Sequence, residues 1–322
     1  MGRVMRWGIL GAAKIARTAL VPAIQTARGA RLVALATRDV DKAAPFVALE
    51  PGLRVHRAYE DLLADPEVDA VYIPLPNDLH VAWTLRAMAA GKHVLCEKPI
   101  ALQAGQIDAL IAARDASGLL CAEAFMVCHH PQWRRVRALL AEGAIGPLRH
   151  VEGAFTYDNP DIGNIRNHSR HGGGGLRDVG VYPCITTRFA TGAEPVRLRA
   201  DVQDENGVDV MARVWADFPD FTLSFYCGMR QHRHQFMLFH GRDGVIELPF
   251  PFSPGVAGEA LVRVITSAGE MRIERHEPVD HYREMVEAFA ASAFDGLPFA
   301  CPLEFSRGNQ AMIDAIFDAA SP

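Results

Sequence analysis

Trp7-Gly8-Ile9-Leu10-Gly11-Ala12-Ala13-Lys14-Ile15-Ala16 leaves a short apolar strand, turns at a glycine and enters a helical pattern. Its small residues fall at Gly11, Ala13 and Ala16, the spacing of the fingerprint with which a βαβ unit holds a dinucleotide. Gly11 permits the tight turn. Ala13 is small enough for backbone N–H groups to approach a pyrophosphate, although its Cβ costs some distance relative to glycine. Ala16 lets helix and strand pack closely. The helix that opens through Lys14 and Ile15 aims its N–H dipoles at the anion.

Outward from this turn, residues 1–124 alternate short apolar runs with helical patterns. The pattern predicts a helix over Ala13–Thr26 and strands over Ala30–Thr37 and Leu53–His56. It continues with a helix over Tyr59–Leu63, a strand over Ala70–Pro74, a helix over Leu79–Ala90 and a strand over His93–Cys96. A helix over Gln106–Ala116 and a strand over Leu119–Ala122 complete it. This rhythm reads as a parallel sheet covered on both faces, an α/β Rossmann domain. The second strand ends in Leu35-Ala36-Thr37-Arg38-Asp39. An NAD site carries an acid there for the ribose 2′-hydroxyl, whereas Thr37 is neutral and Arg38 suits a 2′-phosphate bidentately. NADP is therefore favoured, with NAD as the other cofactor.

From about Val127 the period changes. Pro131–Glu142 reads as a helix with Gly143 after its end. Period-2 alternation then recurs over 149–157, 196–202, 208–218, 222–227, 235–240, 245–248, 260–266 and 271–275. Helices are expected at Val179–Ala190, His281–Ser292 and Glu304–Ala319. Residues 125–322 thus form an α+β domain with a large, mostly antiparallel sheet, the last helix packing back on the first domain. An open sheet face is a natural subunit contact.

Composition narrows the function. With 322 residues, 49% hydrophobic and 22% charged, the chain exceeds one hydrophobic core and resembles an ordinary globular protein. A formal net charge of −5 gives no electrostatic reason to expect nucleic acid or an anionic membrane. No apolar run approaches the roughly 18–20 residues that span a bilayer. Met1 leads almost directly into a strand, and a cytoplasmic location is expected. Six scattered cysteines form no Cys-x-x-Cys pair and read as small buried hydrophobes. His129-His130, His168 with His171, and His232 with His234 lack a carboxylate or cysteine partner at metal-ligand spacing, so no metal is expected. Arg134, Arg135 and Arg137 read as a solvated helix side.

Two segments carry the candidate chemistry. Cys96-Glu97-Lys98-Pro99 closes the βαβ series at a strand's carboxyl end, where open α/β sheets place ligands. A residue before proline is held extended, so Lys98 is aimed; its ammonium can polarise a carbonyl or stabilise a neighbouring anion. His171-Gly-Gly-Gly-Gly175-Leu-Arg-Asp178-Val-Gly-Val-Tyr182 reads as a flexible loop turning into a helix. Asp178 and Tyr182, four apart, share a helix face. A phenol of pKa ~10 needs a nearby cation to act as an acid/base at neutral pH, and Lys98 is the candidate.

Together with Pro76-Asn77-Asp-Leu-His80, Glu123-Ala-Phe-Met126 and Asn164-Ile-Arg166, these segments resemble the glucose–fructose oxidoreductase/inositol dehydrogenase/MocA family over nearly the whole chain. Many members have histidine where Tyr182 stands. Tyrosine beside an Asn-Ile-Arg segment is similar to the branch of NADP-dependent D-xylose dehydrogenases and dimeric dihydrodiol dehydrogenases. The resemblance implies Lys98 and Tyr182 as catalytic residues, with Asn77 and His80 by the nicotinamide. Pro74 and Glu97, at strand ends, belong to the same expected cofactor site. Arg166 and Asp178 are expected to bind sugar hydroxyls. The implied reaction moves a hydride between NADP and a sugar or polyol hydroxyl, an aldose such as D-xylose first and a vicinal or trans-dihydrodiol second. Other readings are a non-catalytic dinucleotide sensor and an enzyme that keeps its cofactor bound. A homodimer or homotetramer through the open sheet face is implied as well.

Overall fold

The computed structural model describes residues 3–320. Residues up to Met126, with Asp280–Arg307, form one compact unit; Val127–Val279 and the residues from Gly308 onward form a second.

The first unit is built on six strands: β1 (Met5–Leu10), β2 (Ala30–Ala36), β3 (Arg54–His56), β4 (Ala70–Ile73), β5 (His93–Cys96) and β6 (Cys121–Glu123). They lie in the order β3-β2-β1-β4-β5-β6 with every neighbouring pair parallel. That order reverses between β1 and β4, the switch point at which such sheets take a ligand. Leu10, Val71, Ile73 and Val94 are wholly buried, as strands covered on both faces require. The helix after β1 opens with a π-helical turn over Ala16–Leu20 and continues as α1 (Val21–Thr26). A short helix that the apolar pattern did not announce, α2 (Ala44–Leu49), carries Pro45 in its first turn and buries only Phe46. Then come α3 (Tyr59–Leu63), α4 (His80–Ala89) and α5 (Ala104–Ser117).

The expected division at 124/125, with only the last helix returning to the first domain, differs from the structure: Asp280–Arg307 belongs to the first unit, whereas the last helix from Gly308 onward belongs to the second. Asp280–Arg307 joins the first unit because side chains tie it there. Trp7 packs on Phe289 with ring centroids 5.1 Å apart, and Arg28 pairs with Glu287 at 3.0 Å. Arg114 pairs with Glu304 at 2.7 Å.

The second unit begins with α6 (Pro131–Ala141), followed by β7 (Leu148–Asp158) and α7 (Val181–Thr191). A π-helical turn over Leu176–Gly180 leads into α7. The remaining strands are β8 (Arg197–Glu205), β9 (Val208–Asp217), β10 (Thr222–Gly228), β11 (Arg230–Gly241), β12 (Gly244–Leu248), β13 (Leu261–Thr266) and β14 (Met271–Arg275). The eight strands are ordered β14-β13-β12-β11-β7-β10-β9-β8, and only β7 and β10 run parallel. The chain closes with α8 (His281–Asp295) and α9 (Leu303–Ala320).

All six cysteines are buried, as expected, and none is in a disulfide. His129 and His130 are buried, and His130 Nδ1 accepts the Gln132 N–H at 3.1 Å, capping α6. The basic side of α6 is engaged: Arg135 pairs with Glu274 at 2.7 Å and Arg137 lies over the Phe189 ring. Among the described residues no helix is long and apolar enough to cross a membrane.

Candidate active site

In the first unit the turn after β1 is a cradle for backbone approach. Gly11 has φ +105°, a conformation that side chains disfavour, and a Cβ there would come within 2.9 Å of Leu75 Cδ2. Its N–H donates to Ala36 O at 2.9 Å, fixing the turn against the end of β2. Ala13 and Ile15 are half-buried, Lys14 is exposed and Ala16 is buried against the sheet. At the end of β2, Thr37 is buried and shares hydrogen bonds with the backbone of Asp39. Asp39 turns to Lys42 and to the Asp41 N–H. Arg38 is exposed, and among the described residues its guanidinium has no ion-pair partner. A cation without a competing carboxylate suits a 2′-phosphate.

Pro74 is buried at the end of β4, and Asn77 is half-buried in the loop beyond it. The structure gives His80 a different task from ligand contact. Its ring is wholly buried, with Nδ1 2.7 Å from Pro99 O and Nε2 2.7 Å from Leu75 O. Both ring nitrogens are used on backbone, so His80 ties the loop after β4 to the residue following Lys98. Lys98 is half-buried after β5, and its peptide bond to Pro99 is cis. Glu97 accepts the Tyr72 hydroxyl and the Lys98 N–H. Glu123 is buried behind this segment and accepts the Ile100 N–H at 2.8 Å. Burial pushes its carboxyl up to about 7.

In the second unit the glycine run is not a loose loop. Gly172 through Gly175 are buried, and Gly173 leaves no room for a Cβ against Arg166 O, 2.3 Å away. Asp178 Oδ2 accepts the Tyr157 hydroxyl at 2.6 Å and pairs with Arg166 Nε at 2.8 Å. Tyr182 is buried, its ring 5.4 Å from both Phe155 and Phe252. Phe155 and Tyr157 are two apart on β7 and so share a sheet face. They receive Tyr182 and Asp178, which confirms a common face although the intervening turn is π-wound. Burial and the Asp178 charge hold the Tyr157 phenol well above the usual tyrosine range.

Sequence reasoning missed Tyr157. It stood at the end of a recognised strand, and a partner 21 residues away leaves no local signal. Among the described residues no group of three or more His, Cys, Asp or Glu side chains is arranged to hold a metal.

This combination defines an oxidoreductase with an NAD-binding Rossmann fold. Residues 5–125 match the model of that oxidoreductase family and residues 133–247 the model of its C-terminal domain; the chain belongs to the GFO/IDH/MocA family. It is 39% identical to the oxidoreductase ORF334 of Rhizobium meliloti over 97% of this chain and 96% of the relative. It is 34% identical to the NADP(+)-linked D-xylose 1-dehydrogenase 2 of Haloferax volcanii, covering 98% and 97% of the two chains. Among solved structures it superposes with a TM-score of 0.91 on KijD10, a 3-ketoreductase from Actinomadura kijaniata crystallised with NADP and TDP-benzene. That pair is 31% identical and covers 98% of each chain.

Proposed function

We propose that this protein is an NADP-dependent dehydrogenase that oxidises a sugar or polyol hydroxyl, an aldose at its anomeric carbon in the first instance. The observation that carries the cofactor choice is Arg38, exposed at the end of β2 beside a carboxylate already turned to Lys42. Gly11 and Ala13 would admit the pyrophosphate, and Arg38 the 2′-phosphate, with Pro74, Asn77 and Glu97 nearer the nicotinamide end. When bound, NADP supplies the hydride acceptor. Tyr182 takes the proton from the hydroxyl being oxidised, and Lys98 supplies the positive charge that keeps the phenolate and the substrate oxygen stable. Asp178 and Arg166, held by Tyr157, orient the remaining hydroxyls.

Similarity to KijD10 supports a second reading: reduction of a keto-sugar carried on a nucleotide diphosphate, the same chemistry run in the opposite direction. A vicinal diol stands behind both. Assembly into a dimer or tetramer through the outer face of the second sheet is part of the proposal. It rests on Trp215, 46% exposed on β9. Cytoplasmic residence suits six cysteines of which none is in a disulfide.

The test is nicotinamide absorbance at 340 nm with aldoses, vicinal diols and nucleotide-linked keto-sugars, using NADP and NAD, with Lys98→Met alongside. NADP-linked turnover that falls by about 10²–10⁴-fold in the variant supports the reading. Turnover unchanged by the substitution removes Lys98 from the mechanism. Tight NADP binding with no turnover points to a sensor.

A further inference from the structure

Asp209 lies on β9 and is only 4% exposed, yet it takes no part in the proton or hydride chemistry above. Its Oδ2 accepts the Leu176 N–H at 2.5 Å, and a Cβ on Gly175 would lie 3.3 Å from the same oxygen. A Cβ on Gly174 would lie 1.9 Å from Asp209 Oδ1, and Gly174 has φ +113°. On the other side, the Gly174 N–H donates to Arg166 O at 2.9 Å. The Asp178 N–H then donates to Gly174 O at 3.1 Å, and Gly180 packs so closely that its Cβ would meet Cys227 Sγ at 2.9 Å. These contacts run without a break from the Asp209 carboxylate to the turn that carries Asp178 and, four residues on, Tyr182.

We infer that Asp209 is a positioning residue: its carboxylate seats the Gly173–Leu176 backbone and so fixes where Asp178 and Tyr182 stand. Gly174 has no side chain because one there would occupy the carboxylate's place, and Gly173 because one would meet the Arg166 carbonyl. A buried carboxylate is costly without such partners. Burial pushes the Asp209 carboxyl up to about 7, against the backbone N–H donors and the Arg177 charge.

The inference rests on the proposed function only for its catalytic consequence, and two readouts separate the parts. Amide hydrogen exchange over residues 176–182 reads the seat directly, with the first-unit strands as internal reference; kcat and KM read the consequence. Asp209→Ala is expected to speed exchange in that segment by about tenfold or more while leaving β1–β6 unchanged. It should lower kcat by about 10²-fold with KM for NADP unaltered, since misplacing a catalytic group by ~1 Å costs that much. Asp209→Asn keeps an oxygen for Leu176 and should restore most of both. Gly174→Ala should reproduce the alanine phenotype, and these two variants carry the test if Asp209→Ala does not fold. Exchange over 176–182 that stays at the wild-type rate in Asp209→Ala or Gly174→Ala overturns the seat. A freed segment with wild-type kcat overturns the positioning role. If the wild-type protein oxidises and reduces nothing, the proposed function fails while exchange still decides the seat.

Discussion

Tyr157 donates its hydroxyl hydrogen to Asp178 Oδ2 at 2.6 Å, and the same oxygen meets Arg166 Nε at 2.8 Å. One carboxylate oxygen therefore joins a strand, a loop and the turn before α7. Arg166 is held at an angle set by Asp178, and Asp178 by the phenol. A long, half-exposed arginine would otherwise sample many rotamers, and fixing it beforehand reduces the entropy lost when a substrate hydroxyl arrives.

Replacing Tyr157 with Phe keeps the ring and removes only the hydroxyl. The expected outcome is a fall in kcat/KM for the best sugar of about tenfold, equivalent to ~1.4 kcal/mol and expressed mainly in KM. NADP affinity should be unchanged, because the residues proposed to bind the nucleotide belong to the first unit. Steady-state kinetics with cofactor titration checks both; an unaltered sugar KM would detach Tyr157 from substrate binding.

Arg38→Asp places an acid where the 2′-phosphate is expected. Affinity for NADP should drop by about 10–100-fold, the range for losing charge-assisted hydrogen bonds, while NAD binding holds or improves. Nicotinamide fluorescence titrations with both reduced cofactors measure the ratio directly. Equal losses for the two would mean that Arg38 acts through the fold and not through the phosphate.

Much of this architecture was written locally. The Gly11 turn, the apolar strands of the first unit and the alternating strands of the second each follow from periods visible within ten residues. What the pattern could not show depends on pairing across long separations. The return of Asp280–Arg307 to the first unit is decided by Trp7 on Phe289 and Arg28 with Glu287. The roles of Tyr157 and Asp209 likewise come from partners on other elements. The glycines at 172–175 were misread as flexibility for the same reason. Glycine marks either freedom or close approach, and only Asp209 and the Arg166 carbonyl reveal which. His80 was legible as a site residue but not as one whose two ring nitrogens are occupied by backbone.

Gly11→Ala combines a positive φ of +105° with a Cβ 2.9 Å from Leu75 Cδ2. Backbone strain of this kind costs roughly 1–3 kcal/mol, relieved only by moving the turn proposed to face the pyrophosphate. NADP and NAD should lose affinity together, unlike the outcome for Arg38→Asp. Calorimetric titration of both cofactors tests this, and selective loss of one would contradict a backbone cradle.

Two buried carboxyls, Glu123 in the first unit and Asp209 in the second, sit near 7 rather than at their ordinary 4.5 and 3.8. Burial favours the protonated form, so the folded chain retains protons that the unfolded chain has already released. Their contribution to stability is full below the unfolded values and is lost as pH rises to about 7. At about 1.4 kcal/mol per pKa unit, Glu123 alone accounts for roughly 3 kcal/mol across that window. Urea unfolding between about pH 4.5 and 7.5 should therefore show stability declining with pH from this source. Glu123→Gln keeps an oxygen for the Ile100 N–H but cannot ionise, so its stability should fall by roughly 3 kcal/mol less than the wild type's across that window; the buried His129 and His130, whose pKa values burial lowers, act in the opposite sense in both chains. A slope unchanged by the substitution would show that Glu123 titrates alike in the folded and unfolded chains, and that its burial exerts no net pull on the proton.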